Sequence, residues 1–167
     1  MAASPQQASS INDFNIVAKL GTGSYSEVFK VTRKSDNQTY ALKKVSLENL
    51  SQKEQENALN EVRILASIQH ENIIGYKESF IDQGKTLCIV MDYANDGDLY
   101  QKIVKHKKEK TFFTDDQIWR TLIGSLQALA CFHDLKIFHR DIKSANIFLD
   151  KKGTALLGDL NVSKVAK

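Results

Sequence analysis

Cysteine is scarce in this chain: two in 167 residues, Cys88 and Cys131, each inside an apolar run. Two such cysteines make no disulfide framework. Proline is scarcer still. The single one, Pro5, sits in Met1–Ser10 (MAASPQQASS), a polar Ala/Ser/Gln-rich stretch expected to be disordered. No apolar run is long enough to cross a bilayer, and no signal peptide or lipidation motif is visible. A reducing cytosolic or nuclear compartment is expected. An excess of charge is also lacking: 23 Lys and Arg against 20 Asp and Glu leave +3. That balance is too mild to argue for nucleic acid or a membrane surface as partner. The one basic cluster, KIVKHKKEK at Lys102–Lys110, reads as a solvated helix end, with a docking patch for acidic partners as the rival reading. There is no internal repeat. The length suffices for a sizeable core.

What is present concentrates in FHRDIKSANIF, Phe138–Phe148. Within one loop it places Asp141, able to accept a proton from an incoming hydroxyl. Lys143, two positions on, can reach a transferring phosphate, and Asn146 offers an oxygen to magnesium. Such spacing suits phosphoryl transfer from Mg-ATP, which needs positioning and charge neutralisation more than covalent chemistry.

Partners for that loop lie upstream. LGTGSYSEV, Leu20–Val28, puts Gly21 and Gly23 between two apolar runs, where backbone amides can approach phosphate oxygens. The third small position is Ser26. No helix pattern follows at once, which argues against a dinucleotide-binding turn or a Walker-type loop. In the short strand Tyr40–Val45, alternation puts Ala41, Lys43 and Val45 on one face and Leu42 and Lys44 on the other. Lys43 is therefore the phosphate-binding candidate and Lys44 a solvated strand charge. A capping box, Ser51-x-x-Glu54, opens a helix whose apolar stripe is Leu59, Val62, Leu65 and Ala66. Glu61 beside that stripe is the carboxylate expected to hold Lys43, with Glu54 and Glu56 as rivals in turns that favour acids anyway.

Strands are predicted near 14–21, 26–33, 38–46, 73–81 and 86–92, with the helix near 51–68 inserted among them. A short helix near 98–106 follows, then a long one over 114–133 opened by the box Thr114-x-x-Gln117. A hairpin pairs Ile147-Phe148-Leu149 with Ala155-Leu156-Leu157.

Together, LGTGSYSEV, the strand lysine Lys43, NEVRILASIQHENII with Glu61, CIVMDYANDGDL, FHRDIKSANIFL and GDLN resemble a eukaryotic protein kinase. MDYANDGDL and HRDIKSANIFL are most similar to the NIMA-related serine/threonine branch. The resemblance covers nearly everything from Phe14 onward. It implies an α+β, protein-kinase-like fold: a complete five-stranded small lobe with one helix, plus the first part of a mainly helical large lobe. The implied division is a small lobe over 11–92, a hinge over 93–97 and a partial large lobe over 98–167 that ends before the activation segment.

The same resemblance implies site roles. Leu20 opens the glycine-rich turn. Met91 lies at the back of the adenine pocket, and Asp92 to Ala94 pair with the adenine edge. Asp98 sits near the ribose, while Val28, Ala41 and Phe148 sandwich the base. Asp159 is the principal magnesium ligand beside Asn146. Lys143 matches the serine/threonine pattern, and His139 and Leu160 belong to an apolar column linking the lobes. Asp159-Leu160-Asn161 departs from the usual Phe and Gly in its second and third places. Asn is the non-glycine residue that best tolerates a left-handed backbone.

The implied cofactors are ATP and Mg2+, the implied partner a protein serine or threonine, and the implied location cytoplasmic, with cytoskeletal, centrosomal or ciliary association allowed. The rival reading is a truncated nucleotide-binding or regulatory module without transferase activity. An interaction domain would leave the matched polar residues unexplained, and Lys143 disfavours a small-molecule kinase. The long helix carries Ile118, Leu122, Leu126 and Leu129 with Trp119, Ile123 and Phe132. That apolar width is too great for packing on one side, so self-association through it is expected.

Overall fold

The computed structural model describes residues 9–23, 25–48, 50–158 and 164–165, without the side chains of Glu61, Lys164 and Val165. The disorder expected for Met1–Ser10 lies outside the described residues over 1–8. The chain divides into two units, residues 1–66 with 76–93, and residues 67–75 with 94–167.

The first unit is an antiparallel sheet of β1 (Phe14–Thr22), β2 (Ser26–Arg33), β3 (Thr39–Ser46), β4 (Tyr76–Asp82) and β5 (Thr86–Asp92), in the order β1-β2-β3-β5-β4, with the helix α1 (Gln52–Ser67). In its central strands Tyr40–Lys43 and Leu87–Val90 are buried throughout. One cluster joins Phe14, Val31, Tyr40, Leu42, Phe80, Cys88 and Val90, with Ile11 and Phe29 packed against it. Phe14 and Phe80 stack with ring centroids 6.0 Å apart. Burial pushes the Cys88 thiol up to about 11, which keeps it protonated and inert. At the rim, Arg33 ties together three segments through Glu78 (2.9 Å), Asp36 and the Tyr40 hydroxyl (2.7 Å). The Ser51–Glu54 capping box forms as its sequence requires, with the Ser51 backbone amide donating to Glu54 at 2.8 Å and the Glu54 amide returning to Ser51 Oγ at 3.4 Å.

In the second unit are α2 (Leu99–Glu109), α3 (Asp115–Asp134), β6 (Ile137–Phe138), β7 (Ile147–Leu149), β8 (Ala155–Leu157) and β9 (Lys164–Val165). β7 and β8 form the expected hairpin, and β6 pairs with β9. The Thr114–Gln117 box caps α3 at 2.9 and 3.3 Å. That helix packs on β8 through buried Gly124, Ala128 and Phe132. Gly124 has a packing reason: a Cβ there would stand 2.7 Å from Asn72 Nδ2, which donates to the Ala155 carbonyl.

One strand boundary differs from expectation. Residues 73–75 do not begin β4. The Ile74 amide bonds to the Leu157 carbonyl at 2.9 Å and the Leu157 amide to that of Asn72 at 2.7 Å, so the apolar pair Ile73-Ile74 is buried against the β7–β8 hairpin instead. A continuous apolar run shows that a segment is buried, not which partner buries it. The helix near 98–106 runs three residues further, to Glu109, and ends where Lys110 turns into the left-handed region at φ 53°.

Candidate active site

Antiparallel register decides which residues of the first unit share a face. Val28 stands opposite Lys43, which stands opposite Ile89, and Ala41 stands opposite Met91. Residues directly opposed across an antiparallel pair point to the same side, and Ala41 and Lys43 are two apart on one strand. The register thus gathers Val28, Ala41, Lys43 and Met91, four sequence candidates, on a single face. Ser26 joins them through the alternation of β2. Lys43 is 5% exposed. A cation this deep requires compensation, and Lys43 has an interaction partner. Glu61 lies on α1, but its side chain is outside the described residues, as are Asp159, Leu160 and Asn161. Lys44, on the opposite face, is not the freely solvated charge its position suggests: it is half-buried and its Nζ lies 5.9 Å from the Phe29 ring centroid.

Two β1 irregularities, between Ile16 and Ala18 and between Lys19 and Gly21, bend the strand into the glycine turn. The Gly23 amide closes that turn on the Ser26 carbonyl at 2.7 Å. Neither Gly21 nor Gly23 has positive φ. A Cβ on Gly21 would meet nothing within 4 Å, whereas one on Gly23 would lie 2.9 Å from Ser26 Oγ. The fold therefore makes no demand for glycine at 21. Leu20 is exposed, and Asp92 pairs with Lys77 at 2.8 Å.

The second unit holds the other candidates. Lys143 Nζ donates to Asp141 Oδ2 at 2.7 Å, and Asn146 Nδ2 donates to both the Asp141 carbonyl (2.9 Å) and Oδ2 (3.0 Å). The Lys143 bond foremost, with the Asn146 bond behind it, holds the Asp141 carboxyl below its usual range against the opposing effect of burial, so it is ionised at neutral pH. Asn146 is 4% exposed. With its nitrogen committed to Asp141, its oxygen is the group left for other work.

Behind the loop, buried His139 bonds through Nε2 to the Gly158 carbonyl at 3.0 Å. Its Nδ1 receives the Asp141 amide at a longer 3.4 Å. These two bonds assign the proton to Nε2. Arg140 between them adopts φ 64°, a left-handed conformation costing a non-glycine residue roughly 1–2 kcal/mol. Strain of this kind persists only where surrounding structure enforces it.

Asp98 caps α2, its Oδ1 accepting the Gln101 amide at 2.8 Å, and bridges to Phe148 in the backbone. Ala94 is buried. The Asp96 amide bonds to the Leu149 carbonyl (3.0 Å) and the Leu149 amide to that of Gly97 (2.8 Å), which anchors the residue next to Phe148. Gly97 has φ 73°, a value that asks for glycine.

Sequence reasoning missed Gly158. Its amide bonds to the Asn146 carbonyl at 3.1 Å while its own carbonyl receives His139. A Cβ there would lie 2.9 Å from Phe148 Cε2 and 3.0 Å from Ile74 Cγ1. The only sequence signal was its place directly before Asp159.

The Protein kinase domain family model matches residues 14–167. The chain belongs to the protein kinase family. Among curated proteins it is similar to the probable serine/threonine-protein kinase nek2 of Dictyostelium discoideum, 38% identical over 93% of this chain and 38% of that protein. It is 42% identical to mouse serine/threonine-protein kinase Nek1 over 88% of this chain and 12% of Nek1, and 42% identical to Xenopus laevis Nek9 over 87% of this chain and 15% of Nek9. The chain thus spans well under half the length of these NIMA-related relatives. Asp141, Lys143 and Asn146 form one bonded cluster inside the matched kinase domain. Among the described residues no group of three or more His, Cys, Asp or Glu could hold a metal ion, and no helix is long and apolar enough to cross a membrane. The Asn146 oxygen is a hard donor of the kind that could hold a divalent ion, and Asp159 lies outside the described residues.

Gly158→Ala should crowd the Phe148 ring and destabilise the fold by about 1–3 kcal/mol, the usual cost of overpacking. Urea unfolding reads it. A stability equal to that of the unaltered chain would mean that Phe148 and Ile74 yield freely.

Proposed function

We propose that this chain is the nucleotide-binding and catalytic-loop part of an ATP-dependent protein serine/threonine kinase. The observation that carries the reading is the bonded cluster Asp141–Lys143–Asn146, backed by buried Lys43 on a face shared with Val28, Ala41 and Met91. Mg-ATP would supply the transferable phosphoryl group and the divalent charge that neutralises it. The ionised Asp141 carboxylate orients a substrate serine or threonine hydroxyl and takes its proton. Lys143 places positive charge beside that carboxylate, where it can meet a phosphoryl oxygen. Asn146 and Asp159 would hold the metal, Lys43 would pair with phosphate and be held by Glu61, and the Gly21 and Gly23 amides would approach phosphate oxygens. For base and ribose, the roles that the resemblance implies would fall to Leu20, Ser26, Val28, Ala41, Met91 and Asp92 in the first unit, and to Ala94, Asp98 and Phe148 in the second. Two free cysteines, one of them buried, suit a reducing cytoplasm.

Because the fold tolerates a side chain at 21, Gly21→Ala separates ligand binding from stability. Its unfolding temperature without ligand should match that of the unaltered chain, while the thermal shift given by Mg-ATP should shrink. At a hundredfold excess over Kd the unaltered chain gains about 2.7 kcal/mol. Lys43→Ala should lose most of that shift and Lys44→Ala almost none. Equal losses for the two lysines would place the phosphate-binding cation on the wrong face of β3, and the absence of any shift for a folded chain would reject nucleotide binding.

We also propose that the 167-residue chain self-associates through α3. Phe132 is fully buried and Leu129 half-buried, but Ile118, Trp119, Leu122, Ile123 and Leu126 are exposed. Five large apolar groups on one helix exceed the scattered exposure of ordinary surfaces. Sedimentation of the 167-residue chain should show dimers or larger species that Trp119→Lys with Leu122→Lys reduces. A monomer at tens of micromolar, or assembly unchanged by the two lysines, would remove α3 as the contact.

A further inference from the structure

The basic cluster of α2 finds no use in the site above. Its half-buried residues, Leu99, Lys102 and His106, share one face. Lys102 pairs with Asp96, and His106 Nδ1 meets Thr111 Oγ1 at 2.7 Å while its ring packs on Phe113 at 4.2 Å. The opposite face is open. Along its centre, at four-residue steps, run Tyr100 (55% exposed), Val104 (46% exposed) and Lys108, with Lys105 and Lys107 on the flanks. Lys110 ends the helix, and Phe112 two residues later is 90% exposed. None of Lys105, Lys107, Lys108 and Lys110 makes an ion pair among the described residues.

Lysines in a last turn suit the helix dipole, which explains their sign. It does not explain an exposed tyrosine and valine in line with them, or a phenylalanine wholly in solvent. The order of the groups is informative. Apolar and basic side chains follow one another along the helix axis over about 12 Å, at 1.5 Å per residue. A helix that lies on a membrane instead separates them around its circumference, apolar below and basic above. The matching ligand therefore carries an apolar pair followed by carboxylates along its own length.

We propose that the Tyr100–Val104–Lys108 face of α2, with Lys105, Lys107, Lys110 and Phe112, docks an acidic amphipathic segment of a partner protein. The apolar residues supply contact area and the lysines select for negative charge and speed the encounter.

The test uses the full-length protein and a fluorescently labelled synthetic helical peptide with Leu and Phe at i and i+4 followed by glutamates at i+7, i+8 and i+11, read by anisotropy. Saturable binding is expected, weakening as salt rises. Lys107→Glu with Lys108→Glu should lower affinity at least about tenfold, since like charges then face one another. Tyr100→Ser with Val104→Ser should lower it comparably, and both variants should keep the unaltered Mg-ATP thermal shift, which certifies their fold. Peptides with lysine in place of glutamate, or serine in place of Leu and Phe, should bind at least about tenfold more weakly. The proposal is overturned by a lack of saturable binding, by binding indifferent to either pair of substitutions, or by a control peptide binding as well as the first. Phosphatidylserine vesicles that bind in the peptide's place, and lose binding in the same variants, would assign the face to a membrane and overturn it too.

Discussion

The buried imidazole of His139 is the constraint on which the Asp141–Asn146 loop depends. One ring nitrogen grips the Gly158 carbonyl and the other meets the Asp141 amide. Phe132 packs edge-on against the ring at 5.8 Å and so ties α3 to the loop. With the imidazole fixed, the chain must turn sharply to bring Asp141 out beside Lys143 and Asn146, and Arg140 takes up that turn in a left-handed conformation. The loop is thus preorganised: the buried bond of His139 and the part-buried bonds of Asn146 position Asp141. Preorganisation is what phosphoryl transfer asks of a protein, since little covalent chemistry is left for it to do.

Gly158 completes the arrangement from the other side. Its amide holds the carbonyl of Asn146, its carbonyl holds His139, and its missing side chain makes room for Phe148. The residue next to Phe148 is anchored in turn by the bonds from β7 to Asp96 and Gly97, and Asp98 both bridges to Phe148 and caps α2. Base-facing and metal-facing candidates of the second unit therefore share one network of backbone bonds. In the first unit the equivalent work is done by strand register.

Much of this was legible in the sequence because it rests on local rules. Alternation alone assigned Lys43 and Lys44 to opposite faces, and both capping boxes formed where Ser51 and Thr114 called for them. The spacing of Asp141, Lys143 and Asn146 singled out three residues that the loop bonds together. What escaped were features set by distant contacts. Ile73 and Ile74 look like a strand start, but pairing with Leu157 draws them to the hairpin. Gly158 resembles any glycine until Phe148 and Ile74 are seen to occupy its Cβ position. Arg140, between the bonded His139 and Asp141, gives no sign of its positive φ. Asp98 carries an N-cap that its expected ribose role conceals.

Phosphate transfer from Mg-ATP to a protein serine or threonine by the full-length protein, with and without Asp141→Asn, tests the central claim most directly. Substitution of the carboxylate should lower turnover by roughly 10²- to 10⁴-fold, the scale of a lost general base, with Mg-ATP affinity nearly unchanged. Turnover of the Asp141→Asn variant within a few-fold of the unaltered enzyme would show that the loop held by His139 and Gly158 is not the seat of the chemistry.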